Sequence, residues 1–266
     1  MNLEGNVASL LDIIITVVIL IAVGLGAGTL GSMLGVGGGI VMVPALTILG
    51  LPPAQAASTS LIAVTSTSVS STIEFSRQKR IDYRLGLEMG AFAVPGAILG
   101  AILSDYLSAG LFKLYFGIFL ILIGIYVLYK NSILKDNAVQ KRSMTLQAAV
   151  FAGAFGAGII SSLFGVGGGV IFVPAMLLVL GLTMQRAVAT SQLTLIMTSI
   201  AGVLMHAFLL HPDYLQAAAL SAGAFAGAQI GARASRLAKE FLLQRLFGLA
   251  LIAVAVELII DWFTSR

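Results

Sequence analysis

Apolar runs separated by short polar loops recur ten times along the chain. They fall at about 8–33, 35–51, 55–75, 85–104, 110–129, 145–163, 165–182, 186–209, 214–233 and 243–262. Each run is long and carries almost no charge, the pattern of helices crossing a lipid bilayer. The predicted fold is an all-α integral membrane protein of about ten helical segments. Segments 2 and 7 stand apart. From Gly35 to Gly50 a helix would reach about 24 Å, short of a hydrocarbon core of about 30 Å. Pro44 and Pro174 are expected to interrupt these two segments, each removing an N–H and freeing the carbonyl four residues back.

Both short segments open on the same glycine run. Gly35-Val36-Gly37-Gly38-Gly39 is followed five residues later by Pro44, and Gly165-Val166-Gly167-Gly168-Gly169 by Pro174 at the same distance. Four glycines in five residues strip the side chains from the backbone, so that peptide N–H groups can face a ligand. The likeness runs on. Ala56-Ala57-Ser58-Thr59-Ser60 aligns with Ala187-Val188-Ala189-Thr190-Ser191, Gly96 and Gly100 with Gly227 and Gly231, and Phe116-Gly117 with Phe247-Gly248. Two membrane repeats, 1–130 and 145–266, are therefore expected on either side of a cytoplasmic linker, 131–144. Short, Gly/Pro-interrupted segments at matching places in two halves point to a transporter binding site.

Charge sets the orientation. Of the 15 basic residues, all but Lys113 and Arg266 fall on one side when ten segments are threaded through a bilayer. The positive-inside rule makes that side cytoplasmic, with both termini outside, in a bacterial-type cytoplasmic membrane. Five segments per half is an odd number, so the second repeat would be inverted relative to the first. Segments 1–2 and 6–7 could then form partial-depth hairpins whose glycine turns approach near the midplane. There the positive helix N-termini of segments 2 and 7 would favour an anion. The candidate substrate-binding residues are Gly35, Val36, Gly37, Gly38, Gly39, Ser58, Thr59 and Ser60, and in the second half Gly165, Val166, Gly167, Gly168, Gly169, Thr190, Ser191 and Gln192. Ser66, Thr67 and Ser70 continue the polar face of segment 3, and Thr194 and Thr198 that of segment 8.

The paired Gly-Val-Gly-Gly-Gly-x-x-x-Val-Pro motifs, each followed by an Ala-rich Thr-Ser segment in a tandem repeat, resemble the sulfite exporter TauE/SafE family of membrane transporters. The resemblance spans essentially the whole chain. It implies transport of a small sulfur-containing anion such as sulfite, a sulfonate or thiosulfate, or of another organic anion.

Composition narrows the remaining classes. The chain is 59% hydrophobic and 10% charged, against about 25% charged in soluble domains. Its net charge of +4 sits in loops between apolar runs, which argues against nucleic acid as a partner. No cysteine is present, so thiol redox chemistry and Cys-ligated metals are excluded. No basic residue precedes the first run, which therefore reads as a retained helix, not a cleaved signal. Gly35-x-Gly37 lacks the third glycine of a dinucleotide fingerprint, and no Lys-Ser/Thr pair follows for a phosphate loop. No catalytic triad, carboxylate pair or HExxH motif is visible, so no enzyme and no cofactor are expected. His206 and His211 have no third ligand at metal spacing, and no metal site is expected. Glu257, inside segment 10, is a candidate proton carrier, and Glu74, Glu88 and Asp105 are expected at the interface. Gly223, Gly227 and Gly231 read as a packing stripe. Trp262, Tyr106 and Tyr214 suit an outer aromatic belt.

The expected function is a secondary carrier moving a small anion across the bilayer by alternating access, in the export direction. An inside-negative potential drives an anion outward by about 2.3 kcal/mol per 100 mV. The rival is an anion channel or the pore-forming subunit of a complex. A carrier shows counterflow, whereas a channel shows resolvable single-channel current.

Overall fold

A computed structural model describes residues 3–106, 109–129 and 144–264, and among them ten α-helices and no strand. The helices are α1 (Leu3–Leu34), α2 (Gly39–Ile48), α3 (Pro53–Arg77), α4 (Tyr83–Leu103), α5 (Ala109–Tyr129), α6 (Met144–Phe164), α7 (Gly169–Leu178), α8 (Met184–Phe208), α9 (Tyr214–Leu237) and α10 (Glu240–Thr264). A short 3₁₀ turn, Ser104–Tyr106, follows α4. The basic join from Lys130 to Arg142 lies outside the described residues.

Ten helices match the ten apolar runs, but the two short ones are shorter than the run lengths suggest. Residues 35–38 and 165–168 form turns, so α2 and α7 have 10 residues each and measure about 15 Å, half a hydrocarbon core. The prolines do not interrupt them. Pro44 and Pro174 lie inside continuous helices, a placement that membrane helices tolerate where neighbours support them. Both helices are packed into the core, with Met42, Val43 and Leu46 on α2 and Phe172, Val173 and Met176 on α7 all buried. The helices stop at Gly50 and Gly181, both at positive φ.

By length and composition, four helical stretches among the described residues can cross a membrane: Ile14–Leu34, Tyr83–Leu103, Met184–Phe208 and Phe241–Ile260. Their large apolar side chains, such as Ile14, Val18, Leu204 and Ile260, face outward, as a lipid-facing surface requires.

The two halves interlock. α1 packs along α9, and its repeat counterpart α6 packs along α4, while α3 and α8 pair with each other and with α9 and α4. Glycine stripes set these close crossings. A Cβ at Gly223, Gly227 or Gly231 would run into the α1 backbone at Ile21, Leu25 or Thr29, so this stripe packs helices as expected. Gly96, Gly100 and Gly158 do the same between α4 and α6.

α3 and α8 run antiparallel. Thr59, near the start of α3, accepts from the backbone N–H of Asp213 beyond the end of α8, at 3.1 Å. Thr190, near the start of α8, accepts from the N–H of Asp82 beyond the end of α3, at 3.0 Å. The caps repeat too: Asp82 accepts from Leu85 N and Asp213 from Gln216 N, each at 3.0 Å, opening α4 and α9.

Candidate functional site

The glycine turns meet. Gly35, Gly37 and Gly38 have φ of 80°, 79° and 87°, and Gly165 and Gly167 have φ of 66° and 79°. These left-handed conformations are why the motif is written in glycine. The contact between turns is reciprocal. A Cβ on Gly39 would lie 2.6 Å from Val166 Cα, and one on Gly169 would lie 2.6 Å from Val36 Cα. Ser60 donates its hydroxyl proton to the Gly165 carbonyl at 2.8 Å, and Ser191 donates to the Gly35 carbonyl at 2.6 Å. Each half's serine thus holds the other half's turn.

This convergence puts two helix N-termini together. Neither α2 nor α7 has a side-chain cap, so their first amides have no helical partner. The turns differ in one respect. In the first, the N–H groups of Val36 and Gly37 both donate to the Gly31 carbonyl, at 2.9 and 3.2 Å, and Gln192 Nε2 donates to it at 3.0 Å. The N–H groups of Val166 and Gly167 have no matching bonds to Ser161 O, which leaves the second turn with the greater supply of donors.

Val64 and Leu195, equivalent positions of α3 and α8, stand between the turns. A Cβ on Gly37 would meet Val64 Cγ1 at 2.8 Å and Leu195 Cδ1 at 3.2 Å, and one on Gly167 would meet the Val36 carbonyl oxygen at 3.0 Å and Val64 Cγ1 and Leu195 Cδ2 at 3.2 Å each. The bends are therefore closed over by these two side chains. Beside the first turn, Leu30, Leu34, Val36 and Ile40 form with Phe247 and Leu251 an apolar crevice of about 30 Å³, room for one water. Ser68 Oγ, near Gly37, and the Oε1 of Gln192 are buried without a hydrogen-bond partner.

The remaining expected site residues are committed elsewhere. Ser58 bonds its own helix at Gln55 O, at 2.9 Å. Thr59 and Thr190 hold the entrances to α9 and α4. Ser66 and Ser70 donate to the α9 carbonyls of Ser221 and Phe225. Thr67 and Thr198 bond carbonyls of their own helices, and Thr194 bonds those of Thr190 and Gly86. Glu257 is half-buried on α10, six residues, or about 9 Å, beyond Leu251. Thr59→Val and Thr190→Val are each expected to leave a partly buried amide unpaired and to cost about 1 kcal/mol. Thermal unfolding in detergent would reveal this, whereas flux per folded molecule should hold.

Residue-type matching alone did not single out Val64 and Leu195, nor Arg80. The Arg80 guanidinium lies 5.0 Å over the Phe75 ring, donates to Ser235 Oγ at 3.2 Å and to the Gln185 carbonyl at 3.0 Å, and keeps a buried Nε without a partner. Burial, and then the nearby Arg236, lower its pKa to about 10, so it stays cationic at neutral pH. No group of three or more His, Cys, Asp or Glu able to hold a metal occurs among the described residues.

Comparison with known proteins agrees with this architecture. YunE of Bacillus subtilis, named a probable membrane transporter protein, is 34% identical over 93% of this chain and 99% of its own length. YfcA of Escherichia coli K12, named likewise, is 30% identical over 81% of this chain and 79% of its own. A probable membrane transporter protein of Methanocaldococcus jannaschii is 31% identical over 71% of each chain. No solved structure matches. The family model described as sulfite exporter TauE/SafE matches residues 20–258, which takes in both glycine turns, both serine clasps, the second half of α1 and most of α10; the chain belongs to this family of membrane transporters, and it is not an enzyme.

Proposed function

We propose that the chain is a secondary carrier for a small anion such as sulfite, a sulfonate, thiosulfate or a similar organic anion, working by alternating access and in the export direction. One observation carries this reading: two uncapped helix N-termini converge through bare-backbone turns, each clasped by a serine from the opposite half. Positive helix ends aimed at one point favour negative charge, and backbone N–H groups supply hydrogen bonds without a competing cation. The amides of Val166, Gly167, Gly169 and Val170 are the proposed donors, with Gly39 and Ile40 opposite. Ser60 and Ser191 have given their protons to turn carbonyls, so they position the turns. Val64 and Leu195 act as the closed gate, which must move aside for an anion to reach the amides.

The antiparallel α3–α8 pair and its exchanged contacts support two inverted repeats, with the partial-depth hairpins α1–α2 and α6–α7 meeting inside the bilayer. The basic loops support a cytoplasmic-membrane location with both termini outside. An anion moving outward follows the membrane potential and needs no energy-coupling ion.

Purified protein in liposomes loaded with sulfite, thiosulfate, methanesulfonate or chloride tests the proposal. Saturable efflux accelerated by the same anion on the far side is expected. Absence of flux for every anion would end the carrier reading, and single-channel current without counterflow would replace it with a pore.

A further inference from the structure

The two glycine turns share a sequence but not a backbone path. Gly38 takes φ of 87°, and its counterpart Gly168 takes −66°. The residue beneath each turn accounts for the difference. Gly31 and Ser161 are equivalent, each four residues before the first glycine of its turn. A Cβ on Gly31 would run into the Gly38 amide nitrogen and lie 2.7 Å from the Gly37 carbonyl carbon. The first turn can therefore close down only on a glycine. Ser161 has that Cβ, and the changed path at Gly168 makes room for it.

A Cβ at this place points toward the turn, so the Ser161 side chain is directed at the second turn. Its hydroxyl is fully buried and has no hydrogen-bond partner. Hydroxyls inside membrane helices ordinarily bond a carbonyl three or four residues back, as Thr65, Ser71 and Ser199 do here. The neighbouring amides are in the same condition as Ser161. In the first turn, Gly31 O gathers the N–H groups of Val36 and Gly37 and the Nε2 of Gln192. In the second, Leu61 stands at the place of Gln192, and the N–H groups of Val166 and Gly167 find no acceptor among the described residues. The second turn thus holds a hydroxyl and two amides, all donors, at the uncapped start of α7. Buried donors without acceptors are costly, and a ligand rich in lone pairs relieves them together. A water molecule has lone pairs for two of them, a carboxylate offers two oxygens, and a sulfonate-type anion offers three on one face. Two further unpartnered hydroxyls have no free amide beside them. Ser162 Oγ faces α8, 2.8 Å from where a Cβ on Gly202 would lie. Ser68 Oγ lies beside Gly37, whose amide is already given to Gly31.

We infer that the Ser161 hydroxyl is a side-chain ligand of the anion, and that with the Val166 and Gly167 amides it forms a three-donor seat selective for anions with three oxygens on one face. This rests on the carrier reading above and places the seat at the second turn. The first turn, with most of its donors already given to Gly31, supports it from across the contact. Val64 and Leu195 cover the seat in the closed bends and give way when the anion enters.

Anion-dependent thermal stabilisation in detergent tests the seat apart from transport. Removing a buried hydroxyl that bonds nothing costs the fold little, so Ser161→Ala without anion is expected to melt at or above the temperature of the natural protein. The methanesulfonate concentration giving half of the stabilisation, and the KM for methanesulfonate counterflow in liposomes, are each expected to rise about 10- to 100-fold, the loss of one hydrogen bond to a charged group. Acetate, with two oxygens, is expected to lose less than about threefold, so that the preference for methanesulfonate narrows. Ser162→Ala and Ser68→Ala, which remove equally buried hydroxyls facing other places, are expected to stay within about twofold of the natural values. Natural methanesulfonate affinity in Ser161→Ala, an equal loss for acetate, an equal loss from either of the other variants, or a clearly lower melting temperature without anion would each overturn the seat. The carrier reading stands if Ser161→Ala moves anions as well as the natural protein does. If anions stabilise the natural protein through Ser161 and none is moved, the carrier reading falls and the seat stands. A natural protein that none of these anions stabilises or crosses with overturns both.

Discussion

Gly37→Val and Gly167→Val are expected to abolish anion flux while the protein still inserts and folds. Both glycines have φ of 79°, where a side chain costs about 1 to 2 kcal/mol of backbone strain, more when β-branched. That is a tolerable loss for a membrane bundle with an extensive buried core. The space a new side chain would enter at Gly37 is occupied by Val64 and Leu195 side-chain atoms, which can rotate aside; at Gly167 the same two side chains are joined by the Val36 carbonyl oxygen at 3.0 Å, which has to give by only a few tenths of an ångström. The effect on binding is larger. An isopropyl group at either position would stand over the turn amides, where the anion is proposed to lie. Losing two hydrogen bonds to a charged group, at about 1.5 to 3 kcal/mol each, lowers affinity roughly 100- to 10,000-fold. Counterflow in liposomes, beside size-exclusion profiles of the same preparations, separates the two effects. Normal flux in either variant would reduce the glycines to packing residues.

What could be read before the structure, and what could not, follows from where the information resides. Lipid burial is a property of whole segments, so ten runs became ten helices. The glycine turns were legible because a positive φ at Gly35 and Gly165 leaves its requirement in the residue type itself. Hydroxyl roles were not legible. Thr59 and Ser60 are neighbours on one helix, yet they point about 100° apart, one toward the start of α9 and the other toward the opposing turn. Residue type could not separate a clasp from a cap, because both are hydroxyls bonded to backbone. The prolines misled for a related reason. Pro44 removes a single hydrogen bond, and whether a helix ends there depends on neighbours distant in sequence. The apolar pair over the glycine turns was hidden by dissimilarity. Val64 aligns with Leu195, but only shared position in the fold gives that pair meaning.

Gly39→Ala and Gly169→Ala provide the complementary result: a loss of folded protein from the smallest possible substitution. Gly39 and Gly169 begin α2 and α7 in ordinary helical conformation, so alanine there carries no positive-φ strain and improves helix propensity by about 1 kcal/mol. Local preference therefore predicts stabilisation. The contact between turns predicts the opposite. A Cβ on Gly39 would face the Gly165 carbonyl oxygen with Val166 Cα at 2.6 Å, and one on Gly169 would face the Gly35 oxygen with Val36 Cα at 2.6 Å. These neighbours are backbone, so relief requires the turns to separate by roughly 1 Å, an overpacking cost of about 1 to 3 kcal/mol or more. Separation also pulls at the bonds from Ser60 to Gly165 and from Ser191 to Gly35, because those carbonyls are the atoms being pushed. Each variant should unfold at a distinctly lower temperature in detergent than the natural protein. The double variant makes the argument sharper. Once the first Cβ has parted the turns, the second finds room already made, so the combined loss should fall well short of the sum of the two. Additive losses would mean that the two glycines sit in separate environments, and stability equal to the natural protein would mean that the turns do not touch.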